Sequence, residues 1–172
     1  MTTLANYQAR AAATAQKEAY DLAYLVPMIV GEVGELHGQK AKAHWHGWTP
    51  ARLQEELVSE FGDVCWGTAI LLDMYGIRST PEQLLGQPRT PWGDELDPWH
   101  ILLQRATGLH LFYIQLNTHR YLPGEATQLW LALEKYCHDI TGLPFQDVLD
   151  YNVKKLADRA ARGVLQGSGD HR

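Results

Sequence analysis

Val26-Pro-Met-Ile-Val-Gly-Glu-Val-Gly-Glu-Leu36 and Glu60-Phe-Gly-Asp63-Val-Cys-Trp-Gly-Thr-Ala-Ile-Leu-Leu72 decide how this chain is read. Both stretches are apolar with helical spacing, and each carries one acidic pair, Glu32/Glu35 and Glu60/Asp63. Residues three apart share a helix face, so each pair projects two carboxylates in one direction. Such pairs are common on solvated helix faces, and that is the plain alternative. The apolar, Gly-rich surroundings argue against it, because carboxylates set into core-like helices are costly unless paired or coordinated. If the two helices run side by side, four carboxylates meet and repel one another unless a cation sits between them. Mg²⁺ or Mn²⁺, which prefer oxygen ligands, are the simplest residents. Gly31, Gly34 and Gly38 recur at helical spacing and each costs about 1 kcal/mol relative to Ala. Close approach of a neighbouring helix or of a substrate would offset that cost.

Working outward, the chain reads as helices throughout, with no sustained strand-type alternation. Thr3 is placed as cap of a first helix reaching about Glu18. Pro27 either kinks a helix or stands in the first turn of one beginning near Val26 and ending about Ala43. His44-Trp-His-Gly-Trp-Thr-Pro50 reads as a loop, with Thr49 as N-cap and Pro50 at the first position of a helix that ends near Tyr75, before Gly76. Residues 77–97 are rich in Pro, Gly and Asp. A helix from about Pro98 to Arg120 and another from Pro123 or Gly124 to Thr141 form a helical hairpin, with Leu102, Leu103, Leu109, Phe112 and Leu116 as apolar positions. Gly142-Leu-Pro breaks the chain, Phe145 to about Ala161 makes a last helix, and residues 162–172 form a flexible tail.

Composition bounds the class. The chain has 172 residues, 45% hydrophobic and 20% charged, enough for one buried core and too few to favour two domains. A net charge of −5 offers no global attraction to nucleic acid. Cys65 and Cys137 lack CxxC spacing and read as buried reduced thiols. The absence of a leader-like start or a membrane-length apolar run leads to the expectation of a cytoplasmic protein without membrane or nucleic-acid partners.

Glu32-x-x-Glu35, then Glu60-x-x-Asp63 followed by Val-Cys-Trp, and finally Asn152-Val-Lys-Lys155-Leu156-Ala-Asp-Arg159, together resemble the MazG-like nucleoside triphosphate pyrophosphohydrolases, whose signatures are ExxE…ExxD and N-x-x-K-L-x-x-R. Lys40 and His46-Gly47 also fall where that family tends to place a Lys and a His-Gly. The ending Arg162-Gly-Val-Leu-Gln-Gly-Ser-Gly-Asp-His-Arg172 looks like the tail of phage-type members. The likeness covers roughly residues 25–75 and 140–172. Residues 77–140 depart from it and read as a linker plus an inserted helical hairpin within a single domain spanning residues 1–172.

The resemblance implies an all-α helical bundle that assembles as a homodimer or homotetramer, with sites near subunit boundaries. It also implies a reaction in which a nucleoside triphosphate and water give a monophosphate and pyrophosphate with Mg²⁺, for which Mn²⁺ substitutes, at two or three ions per site. A triphosphate and a carboxylate cluster repel, and divalent ions reconcile them while lowering the pKa of a bound water. Glu32, Glu35, Glu60 and Asp63 are the expected ligands, with Glu35 or Glu60 also taking the proton from water. Glu56 is either an additional group at the site or an exposed partner of Arg52. Lys40, Asn152, Lys155, Arg159, Arg162, Ser168 and Arg172 are expected on the substrate side. Asn152 would act as an amide donor or a carbonyl near the metal. Gly167 and Gly169 would let the tail close over the phosphates as a lid. His44, Trp45, His46 and Trp48 form either a stacking platform or a seal on a core or interface.

Nothing in the sequence selects the base by chemistry. By analogy with phage-type relatives the expectation leans to dGTP or GTP, the MazZ-like branch. A dUTP, dCTP or damaged-nucleotide pyrophosphatase is the alternative. A non-catalytic, ion-stabilised helical interaction module also stays open. A di-iron bundle ranks last, because the acidic pairs lack E-x-x-H.

Overall fold

Two 25-residue helices, α2 (Leu22–His46) and α3 (Pro50–Met74), form an antiparallel hairpin on which the other helices are built. The structure is a computed structural model and describes residues 4–79, 97–115 and 119–163. Among these, α1 (Leu4–Ala12) packs on α3 and α6, α4 (Pro98–Gln115) on α2 and α5, α5 (Leu122–Thr141) on α3 and α4, and α6 (Phe145–Ala161) on α3. Short 3-10 turns at Lys17–Tyr20 and His119–Tyr121 complete the described chain, which contains no strand. The fold class is therefore all-α.

The hairpin turn follows from local chemistry. Gly47 closes α2 in the left-handed region at φ 62°, where glycine carries no Cβ penalty. The Thr49 hydroxyl then caps α3 by accepting from the Arg52 N–H at 3.2 Å, and Pro50 occupies the first turn, where its missing donor costs nothing. The connection is shorter than the sequence suggested, since His44, Trp45 and His46 belong to α2. The two helices touch closely at Gly67, where an added Cβ would lie 2.8 Å from Ile29 Cγ1 and 2.7 Å from Met28 Cε. Residues equally far from the turn therefore face each other. Ile29 meets Gly67, and the Glu32/Glu35 turn of α2 lies against the Glu60/Asp63 turn of α3.

Other helix boundaries differ from the sequence reading too, with α4 ending at Gln115 rather than near Arg120 and α5 beginning at Leu122. α2 begins at Leu22, where the Asp21 carboxylate accepts from the Ala23 N–H at 2.9 Å, so Pro27 is carried inside the helix. α1 stops at Ala12 rather than near Glu18. The Ala11 carbonyl, which would bond the Ala15 N–H in a continuing helix, instead accepts from the Thr14 N–H, the Thr14 hydroxyl and Trp66 Nε1. The proposed Thr3 cap and Leu116 lie outside the described residues.

One apolar cluster gathers side chains from all six helices, including Tyr7, Leu36, Phe61, Leu102, Leu109, Trp130 and Leu149. The α4–α5 pair thus shares its core with α2 and α3. Leu103, one of the apolar positions named for this hairpin, faces outward and is 41% exposed. Cys65 and Cys137 are free and buried. Among the described residues, no helix is long and apolar enough to cross a membrane.

Among the described residues, Gly31, Gly34 and Gly38 do not serve helix contact, since a Cβ at any of them would meet nothing there within 4 Å. Opposite outcomes follow for alanine at two glycines of this hairpin. Gly67→Ala should lower the unfolding free energy by about 1–2 kcal/mol, because overpacking costs about 1–3 kcal/mol and outweighs the helix-propensity gain. Gly31→Ala should raise it by up to about 1 kcal/mol. Urea denaturation of both variants checks this, and shifts of the same sign would contradict the packing described.

Candidate metal centre

Carboxylate oxygens of Glu32 on α2 and of Glu60 and Asp63 on α3 all lie within 4.8 Å of one another. The hairpin register produces this meeting, because it sets the acidic turn of one helix against the acidic turn of the other. All three residues are half-buried.

α6 supplies the compensation for Asp63. Lys155 Nζ donates to Asp63 Oδ2 at 2.6 Å, and Asn152 Nδ2 donates to Asp63 Oδ1 at 2.9 Å. Each Asp63 oxygen accepts one hydrogen bond from α6 and keeps lone-pair capacity for a further partner. α6 can come this close because residue 62 is glycine, where a Cβ would stand 2.8 Å from Asn152 Cβ. Lys155 also donates to the Ser59 carbonyl and hydroxyl oxygens, both at 3.1 Å. Its three N–H donors are thereby matched by three acceptors.

Glu60 Oε1 accepts from Gln39 Nε2 at 2.9 Å. The other atom of that amide, Gln39 Oε1, is buried without a hydrogen-bond partner among the described residues. A buried orphan acceptor beside three carboxylates is a site short of positive charge or donors.

Proton affinities show the same shortage. The Glu32 carboxyl is pushed up to about 8, first by burial and then by the charges of Asp63, Glu35 and Glu60, with Lys155 opposing. Glu60 is pushed up to about 7 by burial, Asp63 and Glu35, against Lys155 and Lys42. Protons relieve such a cluster in acid, whereas near neutrality a hard divalent cation suits the all-oxygen donor set better. Glu32, Glu60 and Asp63 could hold that ion, and the orphaned Gln39 oxygen fits a cation or one of its bound waters.

Not every expected residue joins the cluster. Glu35 is exposed and stands beside the trio, close enough for its charge to raise both Glu32 and Glu60. Asn152 is an amide donor and not a carbonyl offered to a metal, since its Oδ1 accepts from the Tyr7 hydroxyl at 3.0 Å. Lys155, expected on the substrate side, directs its donors to Asp63 and Ser59. Lys40 is turned towards α4, its ammonium 3.7 Å from the centre of the Trp99 ring. Arg159 is half-buried on α6, one turn beyond Lys155. Arg162 pairs with Asp158 at 2.8 Å on the surface. Glu56 lies 3.9 Å from Arg52, the partner expected for it, but its side chain is only 12% exposed. Ser168 and Arg172, with Gly167 and Gly169 and hence the lid, lie outside the described residues.

The aromatic cluster at the hairpin turn is split. Trp45 is 84% exposed, while the Trp48 ring lies near-parallel to that of His46 at 6.3 Å between centroids and 4.3 Å from the Arg52 guanidinium carbon. Sequence reasoning missed Gln39, Lys42, Ser59, Gly62 and Tyr7. Gln39 was within reach of it, being one turn beyond Glu35 on the same face. Tyr7 was not, because it meets Asn152 across 145 positions of chain.

No protein-family model, curated protein or solved structure matches this chain.

The raised carboxyls give a pH dependence with a definite sign. Glu32 and Glu60 bind protons more tightly folded than at their ordinary value of 4.5, so their contribution to stability is fully present below pH 4.5 and is lost as pH rises through about 7 to 8. In EDTA, the melting temperature should fall by roughly 5 °C or more between pH 5.5 and 8.5. Glu32→Gln should flatten that slope. Scanning fluorimetry across pH is the check, and an unchanged slope in the variant would remove Glu32 from the charged cluster.

Proposed function

We propose that this chain is a divalent-cation-dependent nucleoside triphosphate pyrophosphohydrolase that releases a nucleoside monophosphate and pyrophosphate. One observation carries the reading: Glu32, Glu60 and Asp63 converge from two helices while Lys155 and Asn152 of a third helix brace Asp63. These residues belong to the ExxE, ExxD and N-x-x-K segments on which the resemblance to MazG-like enzymes rests, and the fold brings segments far apart in sequence to one place. An inert structural cluster would not need three half-buried carboxylates with, among the described residues, a single lysine in contact.

The chain's own residues take distinct parts in this reading. Glu32, Glu60 and Asp63 hold Mg²⁺ or Mn²⁺. Bound divalent ions supply neutralisation of the triphosphate and a water of lowered pKa. Lys155 and Asn152 hold Asp63 in place, and Gln39 holds Glu60 through Oε1. Glu35, exposed beside the trio, takes the proton from the attacking water on a carboxylate oxygen. Arg159, on the face of α6 that carries Lys155, and Lys42, whose charge reaches Glu60, are the cations placed to meet phosphate oxygens. Of the nucleotides, dGTP or GTP is the first to try. Assembly as a dimer or tetramer belongs to the same proposal.

Incubation with Mg²⁺ and each (d)NTP in turn, with products separated by ion exchange, should show monophosphate and pyrophosphate without accumulating diphosphate. Asp63→Asn should lower both Mn²⁺ affinity and turnover, the latter by 100-fold or more. Glu35→Gln should lower turnover by roughly 10²–10⁴-fold with Mn²⁺ affinity retained. Absence of turnover with every nucleotide under both Mg²⁺ and Mn²⁺, together with ion-dependent stabilisation, would instead identify a binding scaffold. Near-normal activity in both variants would reject the site.

A further inference from the structure

Asn152 presents an N–H to Asp63, and the amide could in principle be turned to present its oxygen instead. Only the N–H is attractive to a carboxylate, so the orientation of this one amide governs whether Asp63 is held or repelled. Asn152 is fully buried, and its Oδ1 needs a donor from within the protein. The Tyr7 hydroxyl of α1 provides it at 3.0 Å, and Tyr7 is itself fully buried. With that hydroxyl in place, both ends of the amide are satisfied while Nδ2 faces Asp63. Without it, the oxygen is orphaned and the amide has reason to turn or shift.

We propose that Tyr7 is a positioning residue of the metal centre: its hydroxyl orients the Asn152 amide, which in turn holds Asp63 in its ligating position. The inference rests on the reading of Glu32, Glu60 and Asp63 as ligands of a divalent cation. It adds a helix outside every motif of the resemblance to the machinery of the site. The role is separable from the packing of α1, which has other anchors. The Tyr7 ring lies 5.9 Å from that of Trp130, Arg10 pairs with Asp150 at 2.6 Å, and Trp66 Nε1 donates to the Ala11 carbonyl at 3.3 Å. Removing only the hydroxyl leaves all three contacts available.

Mn²⁺ binding, read by electron paramagnetic resonance of the free ion, tests this without relying on catalysis. Tyr7→Phe should weaken Mn²⁺ binding about tenfold, the scale on which groups that orient metal ligands act. Asn152→Ala should weaken it at least as much, and the double variant no further, because the hydroxyl acts only through the amide. Replacing Tyr7 by 4-aminophenylalanine, which keeps a donor at the same position, should recover most of the affinity. Arg10→Ala loosens α1 without touching the relay, and should lower the melting temperature while binding Mn²⁺ normally.

Wild-type affinity in Tyr7→Phe, multiplicative losses in the double variant, or equal losses in Arg10→Ala would each overturn the inference and leave the metal reading intact. So would an aminophenylalanine variant that binds no better than an alanine at Asn152, an outcome readable even if the Phe variant fails to fold. Failure of the unmodified protein to bind Mn²⁺ would overturn the metal reading, and this inference with it.

Discussion

The ion pair between Asp63 and Lys155, completed by the Asn152 amide, is the contact around which the site is arranged. Three carboxylates gathered within 4.8 Å in half-buried surroundings resist assembly, because burial and mutual repulsion both disfavour their charged forms. α6 offsets part of that cost by bringing one ammonium and one amide to a single member of the trio. This requirement accounts for several otherwise unrelated choices. Residue 62 is glycine so that α6 can come down onto α3, Ser59 offers two oxygens to the same lysine, and Asn152 is buried at the level of Asp63. Among the described residues Glu32 and Glu60 receive less help and remain proton-hungry, with one amide hydrogen bond from Gln39 on Glu60.

The hairpin of α2 and α3 sets the geometry that α6 then exploits. Its three-residue turn leaves little slack, and the contact of Ile29 with Gly67 sets the register on the far side of the acids. Side-chain chemistry at both places is therefore coupled to the centre, although neither place touches it. The outward face of α2 behaves differently. Gly31 and Gly34 leave the backbone beside Glu32 and Glu35 open, with nothing among the described residues within 4 Å of an added Cβ.

Much of the helix pattern was legible because its signals lie within one turn of chain. The Thr49-Pro50 start, the stop before Gly76 and the span Phe145–Ala161 agree with the structure, since caps, prolines and glycines act on neighbouring backbone groups. The errors also have local form but distant causes. Trp66 Nε1 donates to the Ala11 carbonyl where α1 stops, and α2 absorbs the stretch His44–His46 that read as a loop. Leu103 shares the apolar character of α4 yet stays exposed, because only the neighbours of a helix decide which face is covered.

The sequence by itself determined an all-helical chain with two acidic pairs set in apolar helices and a basic segment near the end, because periodicity and composition carry that information locally. Tertiary structure decided that three of the four carboxylates converge while Glu35 stays exposed, and that Lys40 turns to Trp99. It also decided that Lys155 and Asn152 serve Asp63, and that Tyr7 reaches Asn152. The physical reason is rotational. Spacing places residues on one face of a helix, but the angle at which that face meets its neighbours is set by packing contacts far away in the chain.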